Sequence, residues 1–448
     1  MKVTKFQFSA IVFVLFITML YSFILPKYVA AGQIKLVVAQ DGTGDYTDIQ
    51  TAIDNLPAGG GLVFVREGTY TISLAIKVKS NVTLTGVGAA TIIKQANGTN
   101  INVIENVDQT NGNTNIRLIN FKIDGNRLNV PGSGCGVVLV KCSRCVIEEV
   151  LIEEFEGNGI YIINSSYNVI KKNFVRKGNH GGIVLDQASN DNVIDDNIIE
   201  ETYGEGIYGP GIYIANEGLT IPNYRNAIIN NIIANTGQHG INLGYNTYDT
   251  LVTGNLINIP QNHGIYVYSG HRCVIKDNIV RDLAQYYAGV RIEGTAANKS
   301  NNILIQSNTV SSVTLTSRYG VYIRAESEKI DVFDNDIQNA ENPFVAESGA
   351  NYRIRGNRGY MTDFQRGEAT GIDTGTTGTK TGSVIFTTAY ESGMVPTIML
   401  TLKELATGVV MDSVHITSVS NTGFSWKLRV SARVTGTTCK LAWSAMVE

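Results

Sequence analysis

Asn168-Val-Ile-Lys-Lys-Asn173, Asn192-Val-Ile-Asp-Asp-Asn197, Asn226-Ala-Ile-Ile-Asn-Asn231 and Cys273-Val-Ile-Lys-Asp-Asn278 are one phrase written four times, each closed by an asparagine. The closing column continues through Asn255, Asn308, Asn335 and Asn357. Subtracting successive positions from Asn173 onward gives intervals of 24, 34, 24, 23, 30, 27 and 22 residues, a short base period with insertions in three turns. Recurrence at that length marks a repeat architecture.

A second phrase is interleaved with the first: Gly159-Ile-Tyr-Ile, Gly182-Ile-Val-Leu, Gly211-Ile-Tyr-Ile, Gly240-Ile-Asn-Leu, Gly264-Ile-Tyr-Val, Gly289-Val-Arg-Ile and Gly320-Val-Tyr-Ile. Both alternate apolar with variable residues, so both read as short strands with one face inward. Glycine opens one strand where a corner leaves no room for a Cβ. Asparagine closes the other because it tolerates left-handed dihedrals and bonds along a stack. Units this short cannot bury an inner face alone, so they stack into a parallel β-solenoid. Its inner ladder should be Ile160, Ile183, Ile212, Ile241, Ile265, Val290 and Val321.

These repeats resemble the right-handed parallel β-helix of the pectate lyase superfamily, with about three strands per coil. Upstream, Asp41-Gly-Thr-Gly-Asp45 leads into Tyr46-Thr-Asp48 and on to Leu56, and Gly59-Gly-Gly-Leu-Val-Phe-Val65 follows; both are similar to that superfamily's entry signature of a cap helix and first strand. Ile49, Ala52, Ile53 and Leu56 recur at helical spacing, as a cap over the open end requires. Counting phrases gives about eleven coils, or a rod on the order of 50 Å long.

In 448 residues, 43% apolar content and a net charge of −3 fit a folded chain with two or three domains and give no nucleic-acid footprint. Eight prolines against 46 glycines fit a turn-rich β protein. Of five cysteines, Cys145 and Cys273 occupy the asparagine position of other coils, as stacked small residues; a disulfide from Cys135, Cys142 or Cys145 is the alternative. The Cys142-x-x-Cys145 pair lacks the second half of a zinc site.

Residues 1–31 read as a secretory signal peptide or an uncleaved anchor: Lys2 and Lys5 precede an apolar run from Ser9 to Leu25, and Val29-Ala30-Ala31-Gly32 offers a cleavage site. Either places the rest at the cell surface or outside the cell. The solenoid then spans 32–360, a Gly/Thr-rich linker 361–382, and a small antiparallel β-sandwich 383–448. The last resembles the H-type lectin domain and phage tail-fibre tips, in a Val419-to-Phe424 turn and in Trp443-Ser-Ala445. The resemblance implies a homotrimer and sugar binding.

On the strand after each corner glycine, outward positions form two columns. The first holds Tyr161, Val184, Tyr213, Asn242, Tyr266, Arg291 and Tyr322; the second holds Ile163, Asp186, Ala215, Gly244, Tyr268, Glu293 and Arg324. In the superfamily, polysaccharide lies on this sheet. Aromatic faces edged by polar groups suit sugar rings, although tyrosines also suit any half-exposed strand. Tyr213, Asn242, Tyr268, Glu293, Tyr322 and Arg324 are therefore candidate substrate contacts, with Glu205 reaching in from an insertion after Glu200.

A glycoside hydrolase needs two carboxylates about 5 to 9.5 Å apart. Asp186 and Glu293 lie four coils apart, roughly 19 Å. A lyase needs a base and a cation for the uronate carboxylate, and Tyr266, His263 and Arg291 are the candidates. A surface network in which Glu293 pairs with both arginines is the competing reading. No histidine trio has metal-ligand spacing; Glu205 and Glu217, reaching the track from the insertions of one coil, keep a hydrolase or a calcium-assisted lyase open, with a lyase favoured. The readings are thus a lyase-like enzyme on an acidic polysaccharide, a non-catalytic adhesin or tailspike-like appendage, or a structural filament subunit.

Overall fold

The computed structural model describes residues 34–446 except 204–208, 215–220, 285, 312–318, 339, 341, 359–363, 374–375, 387–395, 406 and 436. The N-terminal segment and the positions of Glu205, Tyr208, Ala215 and Glu217 lie outside the described residues. No helix among the described residues is long and apolar enough to cross a membrane. The chain divides into a unit ending at Arg353 and a second unit, Ile354–Glu448.

The first unit is a parallel β-solenoid of about twelve turns. A typical coil is Val169–Lys171, Phe174–Gly178 and Ile183–Asp186. Two strands of each such coil join a 22-stranded sheet, and the third joins an eleven-stranded sheet. The inner ladder is in the expected register, Ile160 to Ile183 to Ile212 to Ile241 to Ile265 to Val290 to Val321, and every member is at most 1% exposed. The start of the solenoid is covered by the helix Ile49–Asp54, whose N-cap Asp48 accepts from Thr51 N at 2.7 Å. A strand, Lys35–Val38, precedes this helix and pairs with Gly61–Val65.

The closing asparagines form a buried ladder for a different backbone reason from the one the sequence suggested. The left-handed residue is the one before each asparagine: Lys172, Asp196, Asn230, Asp277, Ser307 and Asp334 have φ between 54° and 57°. That turn aims the asparagine side chain inward, along the stack. Asn255 Oδ1 accepts from Asn231 N and Nδ2 at 2.9 and 3.0 Å, and Asn255 Nδ2 donates to Asn278 Oδ1 and Ile228 O at 2.9 and 3.0 Å. Each amide thus satisfies itself and a corner N–H, the condition for burying it.

The corner glycines are required by close approach. A Cβ on Gly264 would stand 2.4 Å from Val280 Cγ1 and 2.7 Å from the Gly289 carbonyl oxygen. All five cysteines are free and buried, in keeping with the stacked reading of Cys145 and Cys273.

The second unit contains two three-stranded antiparallel sheets, Phe364–Asp373 with Thr438–Met446 and Thr397–Glu404, and Gly378–Ile385 with Gly423–Ala432 and Val410–Ser420. Phe386, Phe424, Trp426, Leu428, Leu441 and Trp443 form its core. Residues 361–382 are therefore not simply a linker, since two strands begin within them. Their small side chains answer a packing need: a Cβ on Gly382 would meet the Trp426 ring at 2.4 Å.

Candidate functional site

The eleven-stranded sheet holds the predicted columns in register. Tyr213 pairs with Asn242, Asn242 with Tyr266, Tyr266 with Arg291, and Arg291 with Tyr322; Tyr268 stands beside Glu293. Because successive side chains on a strand alternate sides, the buried ladder on one face fixes these residues on the other.

Tyr266 sits at the centre of a run of rings. His239 stacks on it at 4.6 Å, and His239 and His263 stack on one another at 5.4 Å with planes 7° apart. Tyr287 meets His263 edge-on at 5.2 Å, Tyr268 lies 6.1 Å from Tyr266, and Tyr245 lies 6.1 Å from Tyr268. The run extends along the strand direction as well as from coil to coil. Asn242 Oδ1 and His239 Nδ1, which flank it, are buried without a hydrogen-bond partner.

Beside the rings is a charged network. Arg291 Nε and Nη2 lie 2.9 and 2.7 Å from Glu293 Oε2, which also accepts from Tyr266 Oη at 3.2 Å. The Arg291 guanidinium lies 5.1 Å from the Tyr322 ring centroid. Arg324 Nη1 is 3.9 Å from Glu293 Oε1, and its Nε is 2.9 Å from Glu347 Oε2. Glu293 therefore does pair with both arginines. Two cations and two carboxylates leave this group formally neutral, and Asp186, four strands away in the sheet, accepts instead from Tyr161 Oη at 2.7 Å.

Glu347 was missed because the columns were read only as far as Tyr322 and Arg324. The next strand, Asn342–Ala346, continues the pairing with Tyr322 opposite Val345, and the residue after it is Glu347. One more turn of the same count would have found it.

Protonation states follow from this packing. Burial, with the Arg291 charge beside it, holds His239 down at about 3. Burial, then the neighbouring His239 and Arg291, takes His263 down to about 2. Burial and the Glu293 charge raise the Tyr266 hydroxyl well above its ordinary value. Both rings are thus neutral and Tyr266 is protonated at neutral pH. His263 Nδ1 accepts the Ala288 N–H at 2.9 Å, so its lone pair is already engaged.

Residues 102–259 match the family model described as a right handed beta helix region. The rod is a right-handed parallel β-helix. A second model, described as periplasmic copper-binding protein (NosD), matches residues 209–371 of the β-helix and beyond. Among the described residues no three His, Cys, Asp or Glu side chains are grouped to hold a metal ion. No curated protein matches the chain.

Among solved structures, the β-helix is similar to the A-module of the mannuronan C-5 epimerase AlgE4 of Azotobacter vinelandii, with 20% identity, TM-score 0.55, and coverage of 72% of this chain and 98% of that one. The tailspike protein gp49 of Pseudomonas phage LKA1 gives 13% identity and TM-score 0.59, covering 89% and 91%. PfbA, a surface adhesin of Streptococcus pneumoniae, gives 16% and 0.52, covering 69% and 88%. At these identities the likeness is one of fold.

Proposed function

We propose that this is an extracellular glycan-binding β-helix protein that holds a sugar chain on the eleven-stranded sheet between Tyr213 and Tyr322. The supporting observation is the ring run through His263, Tyr266, Tyr268 and Tyr245, flanked by the unpartnered Asn242 Oδ1 and His239 Nδ1. Rings bind sugar faces. Tailspike and surface-adhesin relatives in fold, together with the secretory character read in residues 1–31, support an extracellular setting. A homotrimer through the lectin-like second unit completes the proposal.

The test is binding to a polysaccharide panel by the intact chain and by Tyr266→Ala and Tyr268→Ala. Loss of the same glycan in both variants supports the reading; undiminished binding in both, or no glycan bound by the intact chain, rejects it.

A lyase-type reaction on a uronate is the second reading, favoured by the Tyr266 hydroxyl being hydrogen-bonded to the carboxylate that Arg291 holds. Here Tyr266 and Glu293 would handle the proton and Arg291 the substrate carboxylate. Unsaturated product absorbance from the intact chain, lost in Tyr266→Phe with binding retained, separates it from the first.

A further inference from the structure

On the 22-stranded sheet, Leu151, Phe174, Ile198, Ile232, Leu256 and Ile279 each open a strand and stand in register from coil to coil. The residue after each of them, from Ile152 to Val280, is fully buried, so alternation turns the six outward. Ile198 and Ile232 are 40% and 44% exposed. Lys122 precedes the row and Thr309 follows it. At roughly 4.8 Å per coil the apolar stripe is about 24 Å long. Single exposed apolar side chains are ordinary, whereas a contiguous stripe marks a contact surface. The positions flanking it change charge by whole coils. Glu148, Glu149, Glu153 and Glu154 flank Leu151, and Lys171, Lys172, Arg176 and Lys177 flank Phe174. Asp195, Asp196, Glu200 and Glu201 flank Ile198. The basic coil is engaged by the acidic coil before it: Lys171 with Glu148 at 2.9 Å, Arg176 with Glu153 at 2.8 Å, and Lys177 with Glu154 at 3.6 Å. On the far side of Ile198 the same positions hold the uncharged Ile229, Asn230, Ala234 and Asn235. Among the described residues no salt bridge reaches Asp196, Glu200 or Glu201. Negative charge is thus left uncompensated beside the most exposed part of the stripe.

We propose that this stripe is the docking surface for a cationic amphipathic polypeptide segment. Its aliphatic side chains lie on Ile198, Ile232 and Leu256, and its lysine or arginine groups meet Asp196, Glu200 and Glu201. Charge decides the class of partner. An anionic lipid surface or a polyanion is repelled by the carboxylates beside Ile198. A second copy laid parallel and in register sets each acidic coil against its own equivalent, which is unfavourable. A segment with one apolar and one basic face satisfies the stripe and the carboxylates together, and about 16 residues of helix match the length of the stripe at 1.5 Å per residue. The surface belongs to a different sheet from the rings around Tyr266, so a glycan and the segment are held without competing.

The test uses the intact chain and two synthetic amphipathic helical peptides of about 16 residues, one built from leucine and lysine, the other with glutamate in place of each lysine. Fluorescence anisotropy should show saturable binding of the lysine peptide, weakening as salt rises, and none of the glutamate peptide. Ile198→Thr with Ile232→Thr keeps β-branched side chains on both strands and should weaken that binding roughly tenfold. Glu200→Gln with Glu201→Gln should weaken it at low salt, with the loss shrinking as ionic strength rises. This charge variant leaves the apolar stripe whole, so it decides the matter even where the threonine variant does not fold. Binding of both peptides alike, no binding of the lysine peptide, or undiminished binding in either folded variant overturns the proposal. A fall in the light-scattering mass of the intact chain on Ile198→Thr with Ile232→Thr assigns the stripe to a second copy and overturns it too.

Discussion

The Tyr266 hydroxyl donates to Glu293 Oε2 across one turn of the β-helix at 3.2 Å. The same diagonal recurs where Tyr161 reaches Asp186 and Tyr322 reaches Glu347, each at 2.7 Å. Opposite Tyr213 the corresponding residue is Gly244, where a Cβ would press on the tyrosine ring at 2.9 Å. The sheet thus repeats a tyrosine–carboxylate station and omits the carboxylate beside Asn242. At Glu293 the station is joined by two arginines.

Glu293→Gln removes one negative charge from a formally neutral group and releases Arg291 and Arg324. Oligogalacturonate should bind a few-fold tighter at low salt, with the gain shrinking as ionic strength rises. Titration at two salt concentrations checks this, and an unchanged or weakened affinity at low salt contradicts it.

His239 and His263 make stability fall in acid. Their folded values, about 3 and about 2, lie below the ordinary 6.5. Above 6.5 neither folded nor unfolded chain binds the protons, so the groups contribute nothing there. Below it the unfolded chain takes them up and the fold does not, costing up to about 1.4 kcal/mol per pH unit for each ring until the folded value is reached. Thermal midpoints between pH 7 and 4 should therefore fall less steeply in His239→Phe than in the unaltered chain. Parallel slopes would contradict this.

Asn255→Ala should destabilise the rod by about 3 kcal/mol, because it leaves the buried Asn231 N–H and the amides on either side without partners. Urea unfolding followed by circular dichroism measures it. A cost under ~1 kcal/mol would mean the ladder is incidental to the stack.

Ile398, Leu400, Met411, Val414 and Ile416 in the second unit are only partly buried against a core whose central Leu428 and Leu441 are fully covered. Association through these residues should make the intact chain a homotrimer and a chain ending at Arg353 a monomer. Light scattering on both decides it, and a monomeric intact chain sinks the trimer.

Most of the rod was legible because stacking forces each coil to repeat the inward pattern of the last, so Ile241 and Asn255 announce their roles by position alone. What was not legible depended on contacts within one coil or across its corner. The left-handed φ at Asn230 belongs to the residue before the conspicuous asparagine. The strand within the presumed linker is bound by pairing to a distant partner, Gly382 with Trp426, which local composition does not reveal. Tyr266, Arg291 and Glu293 were placed by register, but the Ala288 N–H donating to His263 Nδ1 depends on ring orientation, which no count of positions gives.

The most direct test of the account compares glycan binding by the intact chain, by Tyr266→Ala, and by a chain ending at Arg353. The account predicts that the shortened chain keeps the glycan specificity of the intact one and that Tyr266→Ala loses at least about tenfold in affinity at every salt concentration, as removal of a central aromatic anchor does. Full binding by Tyr266→Ala together with none by the shortened chain would place the sugar site in the second unit and contradict it.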